Sequence, residues 1–175
     1  MSPYKLLFIF VEGDDDERFF NRILSPKLQE KYDSVKIIRY ATMKREKVDN
    51  FIKSIKAMGA NYIYLTDIND SPCIIAKKRE IQSKYKNIDD DKVVIVVKEI
   101  ESWYLAGLDD KACKQLKVNN FANTEYVTKE KFNVLIPKKF TSRIDFMSEI
   151  LKHFSIEIAK QKNKSFRYFV ENYDC

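Results

Sequence analysis

Four short apolar runs, three of them ending in carboxylates, constrain this chain most. Residues 4–11 (YKLLFIFV) run into Glu12-Gly13, and residues 35–40 form a second short run. Residues 61–66 (NYIYLT) run into Asp67-Ile68-Asn69-Asp70, and residues 92–98 (KVVIVVK) run into Glu99-Ile100-Glu101. Aromatic and β-branched residues without polar alternation suit strands buried on both faces of a parallel sheet. Between the first three runs, Phe19, Phe20, Ile23, Leu24 and Leu28, then Val48, Phe51, Ile52, Ile55 and Met58, repeat at helical spacing. Strands alternating with helical segments predict β-α-β crossovers. The expected fold is α/β: a three-layer, doubly wound, mainly parallel sheet of about four strands.

The first helix is expected over 14–31 with a break at Pro26, and the second ends at Gly59. Ser71-Pro72 opens a third, reaching about Lys86 with Asp70 as a plausible cap, and residues 99–106 read as a short helix. Asp14 is expected to cap the first helix, with Asp15, Asp16 and Glu17 complementing its dipole. Asp89-Asp90-Asp91 reads as a solvated turn. Beyond Leu108 the strand pattern fades: residues 119–137 look irregular, and 142–154 and 156–173 look helical. The expected organisation is an α/β core over 1–107 with a mostly helical, basic extension over 108–175 packed on it as a single domain.

Composition narrows the chemistry. The 175 residues include one histidine, so a multi-histidine metal site is excluded, and a serine or cysteine triad would depend on His153 alone. Cys73, Cys113 and Cys175 are far apart and form no framework, which fits a reducing cytoplasm. The first residues lack the apolar core and cleavage site of a signal peptide, and no stretch approaches the ~18 apolar residues of a membrane span, so no membrane partner is expected. Residues 1–110 hold 19 Lys+Arg and 19 Asp+Glu, whereas residues 111–175 hold 13 and 7, so the net charge of +6 lies in the C-terminal third. Such a surplus fits a nucleic-acid partner contacted by Lys138, Lys139, Arg143, Lys160, Lys162, Lys164 and Arg167, with Tyr168 or Phe169 for stacking. It fits a lysine-rich solvated surface equally well. Trp103 and His153 read as structural.

In an open parallel sheet, residues just past the strand ends share one rim. Glu12, Asp67, Asp70, Glu99 and Glu101 all fall there, and packed carboxylates repel unless a cation sits between them. Oxygen ligands select a hard ion, with Mg2+ or Mn2+ the natural choice, able to polarise a phosphoryl oxygen.

Val11-Glu12-Gly13 after one strand and Asp67-Ile68-Asn69-Asp70 after another resemble the TOPRIM domain of topoisomerases, primases and related nucleases. The resemblance implies acid-base or metal-handling work for Glu12 and a Mg2+-binding role for Asp67. The second acid of the family's Asp-x-Asp motif is here Asn69, with Asp70 next, so the ligand role falls to the Asn69 carbonyl or shifts to Asp70. Glu99-Ile100-Glu101-Ser102-Trp103 and Asn163-Lys164-Ser165-Phe166-Arg167 are similar to segments of small stand-alone TOPRIM-like proteins. Glu99 and Glu101 also resemble the extra acidic ligands of OLD-family nucleases, Glu101 being the preferred match.

Two functions follow as expectations. The first is a Mg2+-dependent nuclease or phosphodiester-transfer enzyme on DNA or RNA, with Glu12 assisting proton transfer, Asp67 and Glu101 holding metal, and Asn69, Asp70 or Glu99 completing the shell. The second is a noncatalytic nucleic-acid-binding or interaction module, with a possible partner protein chain, in a defence or mobile-element system. A phospho-receiver domain using Asp67 and Lys98 ranks below both, because it gives Glu12 no role.

Overall fold

The computed structural model describes residues 2–175 of the chain. In order they form β1 (Leu6–Val11), α1 (Asp14–Phe19), a π turn (Phe20–Leu24), α2 (Ser25–Leu28), β2 (Ser34–Arg39), α3 (Arg45–Ala57), β3 (Asn61–Asp67), α4 (Ile74–Lys84), a 3-10 turn (Asp90–Lys92) and β4 (Val93–Val96). Helices α5 (Ile100–Ala106), α6 (Asp110–Leu116), α7 (Lys129–Leu135), α8 (Arg143–Lys152), α9 (Ile156–Lys162) and α10 (Lys164–Tyr173) follow. The chain divides into two compact units between Ile95 and Val96.

The sheet of the first unit is four-stranded and parallel, in the order β2-β1-β3-β4, as an α/β fold requires. In register, Leu7 faces Asn61 and Phe10 faces Tyr64 across β1 and β3, while Val11 faces Arg39 across β1 and β2. One face of the pleat carries Phe8, Phe10, Tyr62 and Tyr64 into a buried cluster with Val48, Ile52 and Ile55 of α3 and Ile81 of α4. Each such aliphatic side chain contributes roughly 1.5–3 kcal/mol on burial. Alternation sends Leu7, Ile9, Val11, Ile63 and Leu65, also buried, to the opposite face. The step from β1 to β2 runs one way and the steps to β3 and β4 the other, so right-handed crossovers place helices on both faces. The winding reverses between β1 and β3.

Several local expectations are corrected. Pro26 does not break the first helix: the π turn takes up one extra residue, and Pro26 falls in the first turn of α2, where its missing N–H is not needed. Gly13, not Asp14, is the N-cap of α1, and its N–H donates to Asp16 Oδ2 at 3.2 Å. The cap of α4 is Cys73, not Asp70, so that helix begins later than the Ser71-Pro72 signal implies. β4, the most apolar run, is the shortest strand, because Val97 N donates to Ser165 Oγ at 3.3 Å and Lys98 turns left-handed at φ 64°. Asp89 is no mere solvated turn residue: it accepts from Lys56 Nζ at 2.8 Å and Tyr62 Oη at 2.9 Å.

In the second unit, α6 and α7 fall where no periodicity is visible, and the single helix expected over 156–173 is two helices divided at Asn163. That residue ends α9 and caps α10, its Oδ1 accepting from Phe166 N at 3.0 Å and from Ser165 Oγ at 2.9 Å. Ser165 Oγ in turn accepts the indole N–H of the fully buried Trp103 at 2.8 Å. Asn163 Nδ2 reaches Thr124 Oγ1 at 3.3 Å and Ser102 Oγ at 3.4 Å. The Ser102-Trp103 and Asn163-x-Ser165 segments are thus joined by one buried hydrogen-bond network, which accounts for these residue types without any ligand.

Candidate site at the carboxyl ends of β1 and β3

A doubly wound sheet opens a crevice where its winding reverses, beyond the carboxyl ends of the two strands concerned. Those strands are β1 and β3, and the residues that leave them are Glu12 and Asp67. Glu12 is exposed, and its main chain is fixed to the neighbouring rim by Ala41 N donating to Glu12 O at 3.2 Å. Asp67 is half-buried and closes β3. Continuing the register beyond Phe10 and Tyr64 sets Glu12 opposite Thr66, one place from Asp67.

The Glu12 side of the rim has a buried floor. Tyr40, just past β2, donates its hydroxyl to Leu65 O at 2.8 Å and stacks on Tyr64 with ring centroids 4.6 Å apart. Burial pushes the Tyr40 phenol far above its ordinary range, the hydrogen bond with Thr66 opposes this, and the nearby Glu12 and Asp16 carboxylates add to the rise. Tyr40 is therefore a neutral donor, and it lies within reach of the Glu12 charge.

After Asp67 the chain makes a turn closed by Ser71 N donating to Ile68 O at 3.1 Å, with Asn69 left-handed at φ 49°. Asn is among the few side chains that adopt this conformation readily, which gives a backbone reason for the residue found there. Asn69 and Asp70 are both exposed. Ser71 Oγ donates to Glu80 Oε2 at 3.0 Å, and the buried Lys77 donates to Glu80 Oε1 at 2.9 Å, so α4 braces the turn. The Lys77 contact holds the Glu80 carboxyl below its usual range.

The acids of α1 have local employment: Asp14 and Glu17 pair with Arg39, and Asp15 pairs with Arg18 at 2.7 Å. Glu99 and Glu101 belong to the second unit. Glu99 accepts from Lys129 N, and the buried Glu101 pairs with Arg143, whose Nε also donates to Asn133 Oδ1 at 2.8 Å. Among the described residues, no group of three or more His, Cys, Asp or Glu side chains is placed to hold a metal ion. The rim therefore has no closed cage. The oxygens it offers are the carboxylates of Glu12, Asp67 and Asp70 and the side-chain carbonyl of Asn69, a donor set of the hard-cation kind.

The basic residues of the second unit divide into two kinds. Lys139 donates to Gln115 O at 2.8 Å, Lys160 pairs with Glu157 at 3.6 Å, Arg143 is held by Glu101, and Lys162 donates to Leu108 O and to Asn120 Oδ1 at 2.7 Å. Desolvation lowers the Lys162 ammonium from its ordinary value. Lys138, Lys164 and Arg167 are exposed and form no ion pair among the described residues. Tyr168 is exposed, whereas Phe169 is buried and unavailable for stacking. His153 caps the end of α8. No helix is long and apolar enough to cross a membrane among the described residues. No family model matches the chain, and no curated protein or solved structure matches it either.

Proposed function

We propose that this chain is a TOPRIM-like, Mg2+-dependent nuclease or phosphodiester-transfer enzyme acting on DNA or RNA. The observation that carries the reading is topological: the winding reverses between β1 and β3, and Glu12 and Asp67 leave the carboxyl ends of those two strands. Glu12, exposed beside the neutral Tyr40 hydroxyl, takes the proton from the attacking water or hydroxyl. Asp67, with Asp70 and the Asn69 carbonyl in the next turn, would hold the ion. When bound, the ion supplies charge neutralisation at a phosphoryl oxygen. The β3–α4 turn, braced through Ser71, Glu80 and Lys77, keeps these oxygens in place.

A second reading, a noncatalytic nucleic-acid-binding or interaction module of a defence or mobile-element system, is favoured by Asn69 and by the lack, among the described residues, of a three-acid group placed to hold a metal. Titration calorimetry with Mg2+ and Mn2+, with and without oligonucleotide, followed by cleavage assays on single- and double-stranded DNA and RNA, separates the two. Metal-dependent cleavage lost in Glu12→Gln and Asp67→Asn supports the enzyme. Intact oligonucleotide binding with no cleavage in any metal supports the module.

A further inference from the structure

We infer that a nucleic-acid backbone runs over the face of the first unit formed by α3 and α4, rather than along the cations of the C-terminal third. The inference rests on the nucleic-acid reading above and adds where the polyanion lies.

The charge of residues 1–110 is balanced in sum but not in space. The acids of α1 cluster at one place, whereas Lys44, Arg45 and Lys47 stand at the start of α3 and Arg79, Lys84 and Lys86 on and just beyond α4. All six are exposed, and none forms an ion pair among the described residues. Of the nearby acids, Glu80 is paired with Lys77, Asp89 with Lys56 and Asp90 with Lys78, so cations outside the six already balance three of them, while Glu46, Asp49 and Asp91 form no ion pair among the described residues.

The two groups of cations form one surface. Arg45 donates to Ser83 O at 3.2 Å, so the start of α3 touches the end of α4, and a carbonyl accepts that hydrogen bond without neutralising the guanidinium. Asp49 accepts from Asn87 N at 2.9 Å and Asn87 Nδ2 at 2.8 Å, and Lys56 donates to Asn87 O at 3.1 Å. The segment after α4 is thereby fastened to α3, so the backbone that carries these cations is held in place.

α4 follows the turn that carries Asn69 and Asp70, and its first turn presents Ile74 and Ile75, 45% and 63% exposed, beside exposed Pro72. Aliphatic side chains next to phosphate-binding cations suit contact with the apolar faces of bases. In the second unit, two of the seven expected phosphate contacts, Arg143 and Lys160, are paired with carboxylates, and a third, Lys162, is half-buried and donates to Leu108 O.

The test is binding of the full chain to a fluorescent oligonucleotide, single-stranded or duplex, in EDTA across a salt series. A triple variant Arg79→Ala, Lys84→Ala, Lys86→Ala should bind at least about tenfold more weakly, with the slope of log affinity against log salt reduced by about 2. A triple variant Lys138→Ala, Lys164→Ala, Arg167→Ala should stay within about twofold of wild type. Circular dichroism melts confirm that both variants fold, all six positions being exposed. The inference is overturned if the second triple weakens binding as much as the first, if wild type binds phosphatidylserine vesicles but no oligonucleotide, or if it binds no oligonucleotide at low salt. Because EDTA removes the ion, this result is independent of catalysis. Loss of binding in the α4 triple with no cleavage by wild type leaves the inference standing and the nuclease reading refuted.

Discussion

Arg143 and Glu101, 42 residues apart, form an ion pair that leaves the carboxylate side chain 4% exposed and the guanidinium 22%. The pair is built into the second unit on every side, since Arg143 also lies over the Phe132 ring at 5.4 Å and bonds Asn133. Removing one partner strands a charge, so Glu101→Ala should cost about 3–5 kcal/mol in urea denaturation. The double variant Glu101→Leu, Arg143→Met should recover most of that loss. A single-variant cost below about 1 kcal/mol would show that the pair is solvated.

Ser165 is the shared acceptor for Trp103 Nε1 and Val97 N. Ser165→Ala leaves a buried indole N–H unmatched and should destabilise by about 1–3 kcal/mol, measured by chemical denaturation. Ser165→Thr keeps an acceptor oxygen but adds a methyl at a buried position. Its loss measures how much of the effect is packing.

Asp89 gives the fold an acid-sensitive contact. The Lys56 ammonium, with Tyr62 assisting, holds its carboxyl below the usual range. A carboxyl depressed on folding stabilises fully above its unfolded value of about 4, and that stability fades as pH falls through the lower native value. The side chain is 39% exposed, so the contribution is at most about 1 kcal/mol. Asp89→Asn should lower stability at neutral pH and flatten its decline below about pH 4. An unchanged pH profile would remove Asp89 from the account.

Asn69 separates backbone need from metal chemistry. Its left-handed φ of 49° is open to Gly, Asn and Asp and unfavourable for Ala, so Asn69→Ala should cost about 1 kcal/mol and Asn69→Gly very little. Asn69→Asp keeps the turn and adds a carboxylate beside Asp67 and Asp70. Calorimetry should show tighter Mg2+ binding in that variant than in wild type, and no gain would mean that the turn does not face the ion.

Glu12 is exposed and should matter for chemistry alone. Glu12→Gln is expected to leave stability within about 0.5 kcal/mol and to lower any metal-dependent cleavage by about 100-fold or more. A fall in stability with unchanged cleavage would make it a turn residue.

The strands and their acidic ends were legible because continuous apolar runs such as Leu6–Val11 have few alternatives to a buried parallel strand. The strand order was not legible, and it decides that Glu12 and Asp67 leave neighbouring strands; nor was the pairing of Glu101 with Arg143, 42 residues away. Sequence separation hides such pairings: nothing near Lys162 announces that its ammonium serves Leu108 O and Asn120. Short helices such as α6 and α7 span two turns and show too little period to be read. Asp14 reads as a cap and Glu17 as a dipole partner, and only the placement of Arg39 beside them shows that both are paired across to β2.

Trp103 is the only tryptophan, and it lies in the second unit, whereas the sheet of the first is lined with tyrosines such as Tyr40, Tyr62, Tyr64 and Tyr85. Red-edge excitation therefore sees only the helical unit, and the sheet unit is silent to it. If the halves melt separately, tryptophan emission and far-ultraviolet ellipticity will trace different transitions, and the chain carries its own optical label for which half opens first.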